Sequence, residues 1–378
     1  IFHYYLCRQL KGGGMEIIMN IKDYKSTKKR KKSSPVTAML ITSTFLAFML
    51  CIVVLFFYAE QRNKALKAIA EVEILTEEKD DLYTKNQVDE FVEKAKKEIL
   101  DKIKSLLENG EGMLSVLQRF YPNYVIASYQ ENYHFFPILD ELEKNNFDLE
   151  KFTYPVYNEE TKEWEGTANY MTETGKQAKK GIDVSKHQGS IDWEAVAKDG
   201  VEYAFIRVGF RGSSEGAMVE DEYFVENIEG ALDNGIEVGI YFYTQALDEE
   251  EAVEEAEFVL ELIEGYDITY PVVFDIEEPT SNSARTAKMT KEEYTAVTLS
   301  FCNTIKEAGY EPMIYGNLKT FLIMLDMEQI EEYDKWFAYY NEQVYFPYEF
   351  AIWQYSSTGR VNGIDGDVDM NVCMKDYE

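Results

Sequence analysis

The C-terminal half of this chain predicts an α/β fold: a (β/α) barrel with incomplete outer helices, about five βα units and then three strands. Three observations carry that reading. From Gly181 onward short apolar runs alternate with helical patterns, the order that βαβ units require. Eight such runs occur, enough strands to close a barrel. The last few are separated by segments too short for a full helix. The strand candidates are Gly181 to Val184, Tyr203 to Val208, Glu237 to Tyr243, Tyr270 to Ile276, Pro312 to Tyr315, Lys335 to Tyr340, Phe350 to Tyr355 and Asp367 to Met370. Helical patterns over Asp221 to Asn234, Asp248 to Ile263 and Thr290 to Ala308 fill the first gaps. A doubly wound open sheet is the alternative, but no G-x-G-x-x-G or G-x-x-x-x-G-K-[ST] follows any of these strands.

Ahead of the barrel the chain reads as a tether. From Val36 to Tyr58 the run VTAMLITSTFLAFMLCIVVLFFY carries no charge and is long enough, at about 1.5 Å per residue, to cross a bilayer core as one helix. Lys28-Lys29-Arg30-Lys31-Lys32 precedes it, so the positive-inside rule places residues 1–35 in the cytoplasm and the rest of the chain outside. The exit at Tyr58-Ala59-Glu60 lacks a small-x-small cleavage site, which favours an uncleaved, single-pass anchor over a signal peptide. The expected protein start is Met15 or Met19. After the anchor Val88, Val92, Ala95, Ile99, Ile103 and Leu106 recur at helical spacing. They predict a helical stalk over residues 59–114, for which parallel self-association and packing on its own neighbours are both open readings. Residues 115–178 read as an aromatic-rich linker or adaptor, and residues 179–378 as the barrel.

The charge balance narrows the partners. The chain holds 38 Lys plus Arg against 69 Asp plus Glu, a net charge of −31. That excludes a nucleic-acid binder. Four cysteines and three histidines are too scattered for a disulfide scaffold or a zinc ligand set, so neither metal nor cofactor is expected. Cys302 and Cys373 are expected to be separate buried thiols, with a disulfide as the alternative.

Acidic residues at strand ends are the candidate chemistry, because a (β/α) barrel builds its site at the C-terminal ends of its strands. Tyr270-Pro-Val-Val-Phe274 runs into Asp275-Ile276-Glu277, and residues two apart on a strand point to the same face. Two crowded carboxyls divide acid and base work, since like charges raise the pKa of one partner. The D-x-E pattern also begins at Asp148, Asp192, Asp248, Asp326 and Asp376, but only at Asp275 does it directly follow a five-residue apolar run. Asp183 and Asp369 end strands in the same way, so four acids ring one mouth. Tyr241, Tyr243, Tyr315, Trp336, Tyr339, Trp353 and Tyr355 offer it flat aromatic faces of the kind that sugar rings stack on, core packing being the rival reading of each. A divalent cation held by the acids ranks below this, as no EF-hand spacing occurs.

Gly181-Ile-Asp-Val-Ser-Lys-His-Gln-Gly189, Phe205-Ile-Arg-Val-Gly209, Gly239-Ile-Tyr-Phe-Tyr243, Val273-Phe-Asp-Ile-Glu277, Pro312-Met-Ile-Tyr315 and Trp353-Gln-Tyr355 with Val368-Asp-Met-Asn371 together resemble glycoside hydrolase family 25, the Chalaropsis-type lysozymes. The resemblance covers about residues 179 to 378. It implies a muramidase that cuts the β-1,4 bond between N-acetylmuramic acid and N-acetylglucosamine in peptidoglycan, set outside a bacterial cell membrane by the anchor. Glu277 then resembles the general acid. Asp275 resembles the nucleophile, or the partner that orients the substrate's own acetamido group. Asp183 and Asp369 match the two supporting acids, and Tyr241 and Tyr315 match groove aromatics. Trp353, Gln188 and Arg207, inside the quoted motifs, complete the expected substrate-binding set. Phe242 stands where many members carry His, and Arg207-Val-Gly209-Phe-Arg211 replaces a Lys-x-Ser/Thr-Glu-Gly stretch, so subsite preference departs from the pattern. The rivals are an inactive glycan-binding wall-attachment module and a chitinase-like endo-hexosaminidase.

Overall fold

The computed structural model describes residues 59–67, 69 and 83–377, except residues 130, 155, 159–162, 166–168, 173–174, 280 and 341–343. The apolar run 36–58 and the basic tail lie outside the described residues; among the described residues no helix is long and apolar enough to cross a membrane. By its internal packing the chain divides into residues 1–96 and 97–378. Helix α1 covers residues 59–67. Helix α2, Lys85–Glu108, forms where the three-and-four spacing predicts it and buries none of its residues.

All eight expected strands form. They are β7 (Lys179–Val184), β8 (Tyr203–Arg211), β10 (Glu237–Tyr243), β11 (Val272–Asp275), β12 (Pro312–Gly316), β13 (Asp334–Ala338), β14 (Ile352–Gly359) and β15 (Val368–Cys373). Neighbours pair in the order β10-β11-β12-β13-β14-β15-β7-β8, and a β10–β8 ladder closes the ring, which excludes the open doubly wound sheet. Strand β15 is antiparallel to both of its neighbours, while the other seven run parallel. A short strand the sequence did not announce, β9 (Met218–Glu220), hangs antiparallel on the end of β8. Helices α4 (Trp193–Lys198), α5 (Phe224–Asp233), α6 (Glu249–Ile263) and α7 (Lys291–Glu307) fill the first four gaps, and a π-turn at Thr320–Met324 fills the fifth. Asp192, Asp248 and Thr290 cap the N-termini of three of these helices, each accepting a backbone N–H three residues on, which fixes where each helix begins.

The period of two sorts each strand between two cores. Tyr203, Phe205, Val273, Met313, Trp336, Ile352 and Cys373 pack inside the barrel. Their alternates, such as Ala204, Ile206, Val272, Phe274, Ile314 and Phe337, face the outer layer. The interior is so narrow that large rings need glycine opposite them. A Cβ on Gly181 would lie 2.1 Å from the Tyr203 ring, and one on Gly239 would lie 2.3 Å from Phe205. Cys302 and Cys373 are both buried and free.

Residues 113–178 form an outer layer of this barrel. Helix α3 (Met113–Phe120) is followed by a hairpin, β1 (Tyr124–Tyr129) and β2 (Asn132–Pro137), and by two short pairs, β3 (Phe152–Thr153) with β6 (Asn169–Tyr170) and β4 (Val156–Asn158) with β5 (Glu163–Glu165). Val125, Ala127, Leu142, Phe152, Tyr170 and Ala178 belong to the same hydrophobic cluster as the outer faces of the barrel strands. Rings of Phe147 and Phe152 approach Trp353 at 5.3 Å and 4.8 Å. They cover the stretch around β13 and β14, where no closing helix occurs among the described residues.

Filling the barrel floor should be costly. Gly181→Ala is expected to lower stability by about 2 kcal/mol, the scale of overpacking a tight core, seen as a lower urea midpoint at unchanged m-value.

Candidate active site

The inward positions turn polar as each parallel strand reaches its C-terminal end. Along β7 they run Gly181, Asp183, Ser185; along β8 Tyr203, Phe205, Arg207; along β10 Gly239, Tyr241, Tyr243; along β11 Val273, Asp275, Glu277. Strand β15 runs the other way and delivers Asp369 at its start, paired in register with Asp183. The polar and tyrosine side chains among them from Asp183 upward, with His187, Gln188, Tyr315, Trp336, Tyr340 and Gln354, line a mouth of about 360 Å³, while Gly181, Tyr203, Phe205, Gly239 and Val273 lie below it. Of the nine residues expected from sequence, Asp183, Asp275, Glu277, Asp369, Tyr241, Tyr315, Gln188 and Arg207 meet there.

Trp353 does not, and the expectation for it is corrected. It sits on β14 between the inward residues Ile352 and Gln354, so its indole points to the outer layer, where Nε1 donates to the Tyr339 carbonyl at 2.8 Å. Tyr355, two residues on, shares that outward face, and Tyr339 stacks on the outward Phe337. Gln354 and Tyr340 occupy the mouth instead. Alternation from Trp336 and Ile352 leads to both, and the pull of the aromatic residues in Trp-Gln-Tyr concealed it.

A hydrogen-bond relay fixes Asp183. Trp336 Nε1 is only a donor and gives its proton to Asn371 Oδ1 at 2.7 Å, which turns the Asn371 amide nitrogen toward Asp183 Oδ2 at 2.8 Å. Tyr315 and Tyr340 hydroxyls donate to Gln354 Oε1 at 2.9 Å and 2.5 Å, and Gln354 Nε2 donates to the same Asp183 oxygen at 2.8 Å. Arg207 is held from behind: its Nε donates to Asp221 Oδ2 at 2.7 Å, and Asp221 also accepts from the Lys186 and Tyr223 backbone N–H groups. Gln188 closes the turn after β7, accepting from Ser185 N at 2.9 Å while Ser185 Oγ accepts from His187 N. Asn371, Ser185, His187 and Asp221 were not singled out from the sequence. Only their positions two residues from an expected group, or at a strand end, mark them.

Burial and mutual repulsion hold protons on these acids. Burial pushes Asp275 well above the usual carboxylate range, and the charges of Glu277 and Asp183 add to it while Arg207 opposes. Burial also raises Asp183, helped by Asp369 and resisted by the amide hydrogen bonds of Asn371 and Gln354. Glu277 is raised by burial. Asp369 is pushed up to about 6 by burial, then by Glu277 and Asp367. Asp275 Oδ1 is buried and has no hydrogen-bond partner among the described residues, leaving one acceptor available to a ligand. The arrangement supplies a proton donor and a carboxylate in one aromatic-walled cleft, the equipment of acid-assisted cleavage of an acetal.

Two measurements check this geometry. Gln354→Leu removes a donor that lowers Asp183, so carbon-detected titration should show the Asp183 carboxyl moving further up; Trp353→Ala should leave that titration in place while costing about 3–5 kcal/mol of stability. The sign of the pH dependence follows from Asp369, whose pKa rises from 3.8 to about 6 on folding. Between those values the folded chain binds more protons than the unfolded one, so this group makes stability fall as pH rises from 3.8 to about 6, with no further change above. Asp369→Asn is expected to flatten that slope and to raise the melting temperature at pH 7 in thermal scans.

Comparison with known proteins agrees with the geometry. Residues 182–364 match the profile of the family described as Glycosyl hydrolases family 25. The chain is 31% identical over 199 residues to the uncharacterized protein YegX of Escherichia coli strain K12, covering 51% of this chain and 68% of that one. It is 26% identical over 193 residues to the autolytic lysozyme of Clostridium acetobutylicum, again over 51% of this chain but only 55% of the relative. Among solved structures, the modular autolysin LytC from Streptococcus pneumoniae superposes with a TM-score of 0.49 at 22% identity, covering 65% of this chain and 66% of that one.

Proposed function

The chain belongs to glycoside hydrolase family 25; we propose that it is a muramidase, and that the uncharged run 36–58 ties it to the outer side of a bacterial membrane. Its barrel is that of a peptidoglycan-cleaving glycoside hydrolase. The bond cut is the β-1,4 link between N-acetylmuramic acid and N-acetylglucosamine. The observation that carries the reading is the meeting of Asp183, Asp275, Glu277 and Asp369 in one mouth lined by Tyr241, Tyr315 and Trp336.

In the proposed mechanism Glu277, kept protonated by burial, gives its proton to the leaving glycosidic oxygen. Asp275 is buried beside it, its pKa raised well above the usual carboxylate range by burial and by Glu277; the Arg207 guanidinium opposes that rise and favours the anionic form as oxocarbenium character develops. It then attacks the sugar or orients the substrate's acetamido oxygen to attack. Asp183, fixed by two amide donors, and Asp369 position the sugar and share the remaining protons. Tyr241 and Tyr315 form the cleft wall.

The tether is supported by the uncharged run 36–58 and the basic cluster at residues 28–32, and the stalk by the exposed Val88, Val92 and Ile99 of α2, an apolar stripe suited to parallel pairing. Protease added to intact cells should release the barrel, and cross-linking on the stalk should capture pairs.

Release of reducing ends from purified peptidoglycan tests the chemistry. Glu277→Gln is expected to lower the rate by about three orders of magnitude, the worth of a positioned general acid, with muramic acid at the new ends made by the unaltered chain. Binding without cleavage by the unaltered chain would favour a wall-attachment module, and faster cleavage of chitin a chitinase-like enzyme.

A further inference from the structure

Residues 113–137 bear a second concavity that catalysis does not use. A cavity of about 480 Å³ opens between α3, the β1–β2 hairpin and the segment 344–347, with Gln118, Tyr124, Ile126, Lys144 and Tyr345 in its walls. Gln118 is only 8% exposed. Its Nε2 donates to the Ile126 carbonyl at 3.4 Å, but its Oε1 is buried with no partner among the described residues. Leaving a buried acceptor in that condition is unfavourable, so an occupant that donates to it is favoured.

Tyr124, in the cavity wall, belongs to an exposed aromatic cluster beside it. The hairpin register places Tyr124, Ile126 and Phe135 on one face, with Phe135 directly opposite Ile126 and Tyr124 two residues away, and Tyr121 joins them from the end of α3. Their ring centroids lie 5.1 to 6.2 Å apart, edge to face, and all three rings are 40 to 45% exposed. A contiguous exposed aromatic patch of this kind is a feature of binding surfaces.

We infer that this cavity and the aromatic cluster beside it form a second saccharide site, which takes a neutral N-acetylhexosamine unit of the glycan strand away from the catalytic mouth. Exposed ring faces receive the C–H face of a pyranose, and Gln118 Oε1 accepts an acetamido N–H or a hydroxyl proton. Lys144 does not select an anion, because its ammonium is engaged by the Leu139 and Leu142 carbonyls and lies 5.4 Å from the Tyr348 ring. A chain of side-chain contacts links the hairpin to the segment that follows Glu277. At the far end of β1 the Tyr129 ring lies 5.2 Å from Lys319 Nζ, and Lys319 pairs at 2.7 Å with Glu278, the neighbour of Glu277. Five residue steps of strand separate Tyr124 from Tyr129, about 17 Å, a length that several linked sugars cover. The inference rests on the glycan strand being the ligand, as proposed above.

The test uses the full chain bearing Glu277→Gln, with purified peptidoglycan as the probe in a co-sedimentation assay. Adding Tyr124→Ala and Phe135→Ala together is expected to weaken binding about tenfold, and Gln118→Leu alone, which keeps the shape and removes the acceptor, about threefold. With Glu277 intact, the same variants should cut a soluble tetrasaccharide at an unchanged kcat/KM. Unchanged binding in both variants would overturn the site. So would a matching loss on the tetrasaccharide, or a dimer in sedimentation velocity that the Tyr124/Phe135 variant converts to monomer, since the aromatic cluster would then be an interface between copies. Loss of binding in a chain that cleaves nothing would sink the hydrolase reading and uphold the saccharide site.

Discussion

A closed ring of eight strands admits one inward side chain for every second residue, and the space they share is barely wider than two aromatic rings. Everything at the mouth follows from that constraint. Gly181 and Gly239 give up their side chains so that Tyr203 and Phe205 can fill the floor. The next inward positions must then lie above a packed, dry layer. Asp183 sits one alternation above Gly181, Tyr241 one above Gly239 and Asp275 one above Val273, so the acids rest on hydrocarbon and aromatic surface at their lower side. Solvation reaches them from the mouth alone, and burial is the first cause of every raised carboxyl pKa in the cluster.

Four carboxyls in that position repel one another unless protons or donors intervene. The fold supplies donors to one of them. Asp183 receives two amide N–H groups, and each amide is itself oriented by a group from another strand: Asn371 by Trp336 on β13, Gln354 by Tyr315 on β12 and by Tyr340 beyond β13. Asp275 receives no such donor to Oδ1, only the field of Arg207, which Asp221 holds in place. The asymmetry separates the acids chemically: one is locked as part of the scaffold, while another keeps an acceptor unpaired for what enters. A pocket that binds an uncharged sugar and loses a leaving group needs that division more than it needs four equivalent acids.

Much of this was legible. The eight strands, the three long helices and the convergence of Asp183, Asp275 and Glu277 follow from apolar runs that end in acids, because strand periodicity and the C-terminal-end rule act locally on sequence. Trp353 was misread because ring size outweighed parity, although counting in twos from Ile352 places Gln354 at the mouth. The antiparallel course of β15 left no local mark either; Asp369 lies at the start of its strand, where the rule for parallel strands does not apply. Asp221 and Asn371 act through partners 14 and 188 residues away, and such pairs are set by tertiary registry that no short window contains.

The adaptor follows from what the barrel lacks. A parallel barrel normally covers its outer face with a helix after each strand, but the chain between β13 and β14, and between β14 and β15, has none among the described residues. Phe350, Trp353 and Tyr355 would stand in water there. Phe147, Phe152 and Tyr154 take the place of the missing helices against them. A segment recruited to seal a wall has one face committed to the barrel and the other turned outward. On the β1–β2 hairpin, Val125 and Ala127 carry the first duty, and Tyr124 and Phe135 are left on the second. Because the hairpin is anchored through that buried face, its outer aromatics are held at a fixed reach from Glu277 rather than on a free linker, and a fixed reach is what a second contact on the same polymer strand requires.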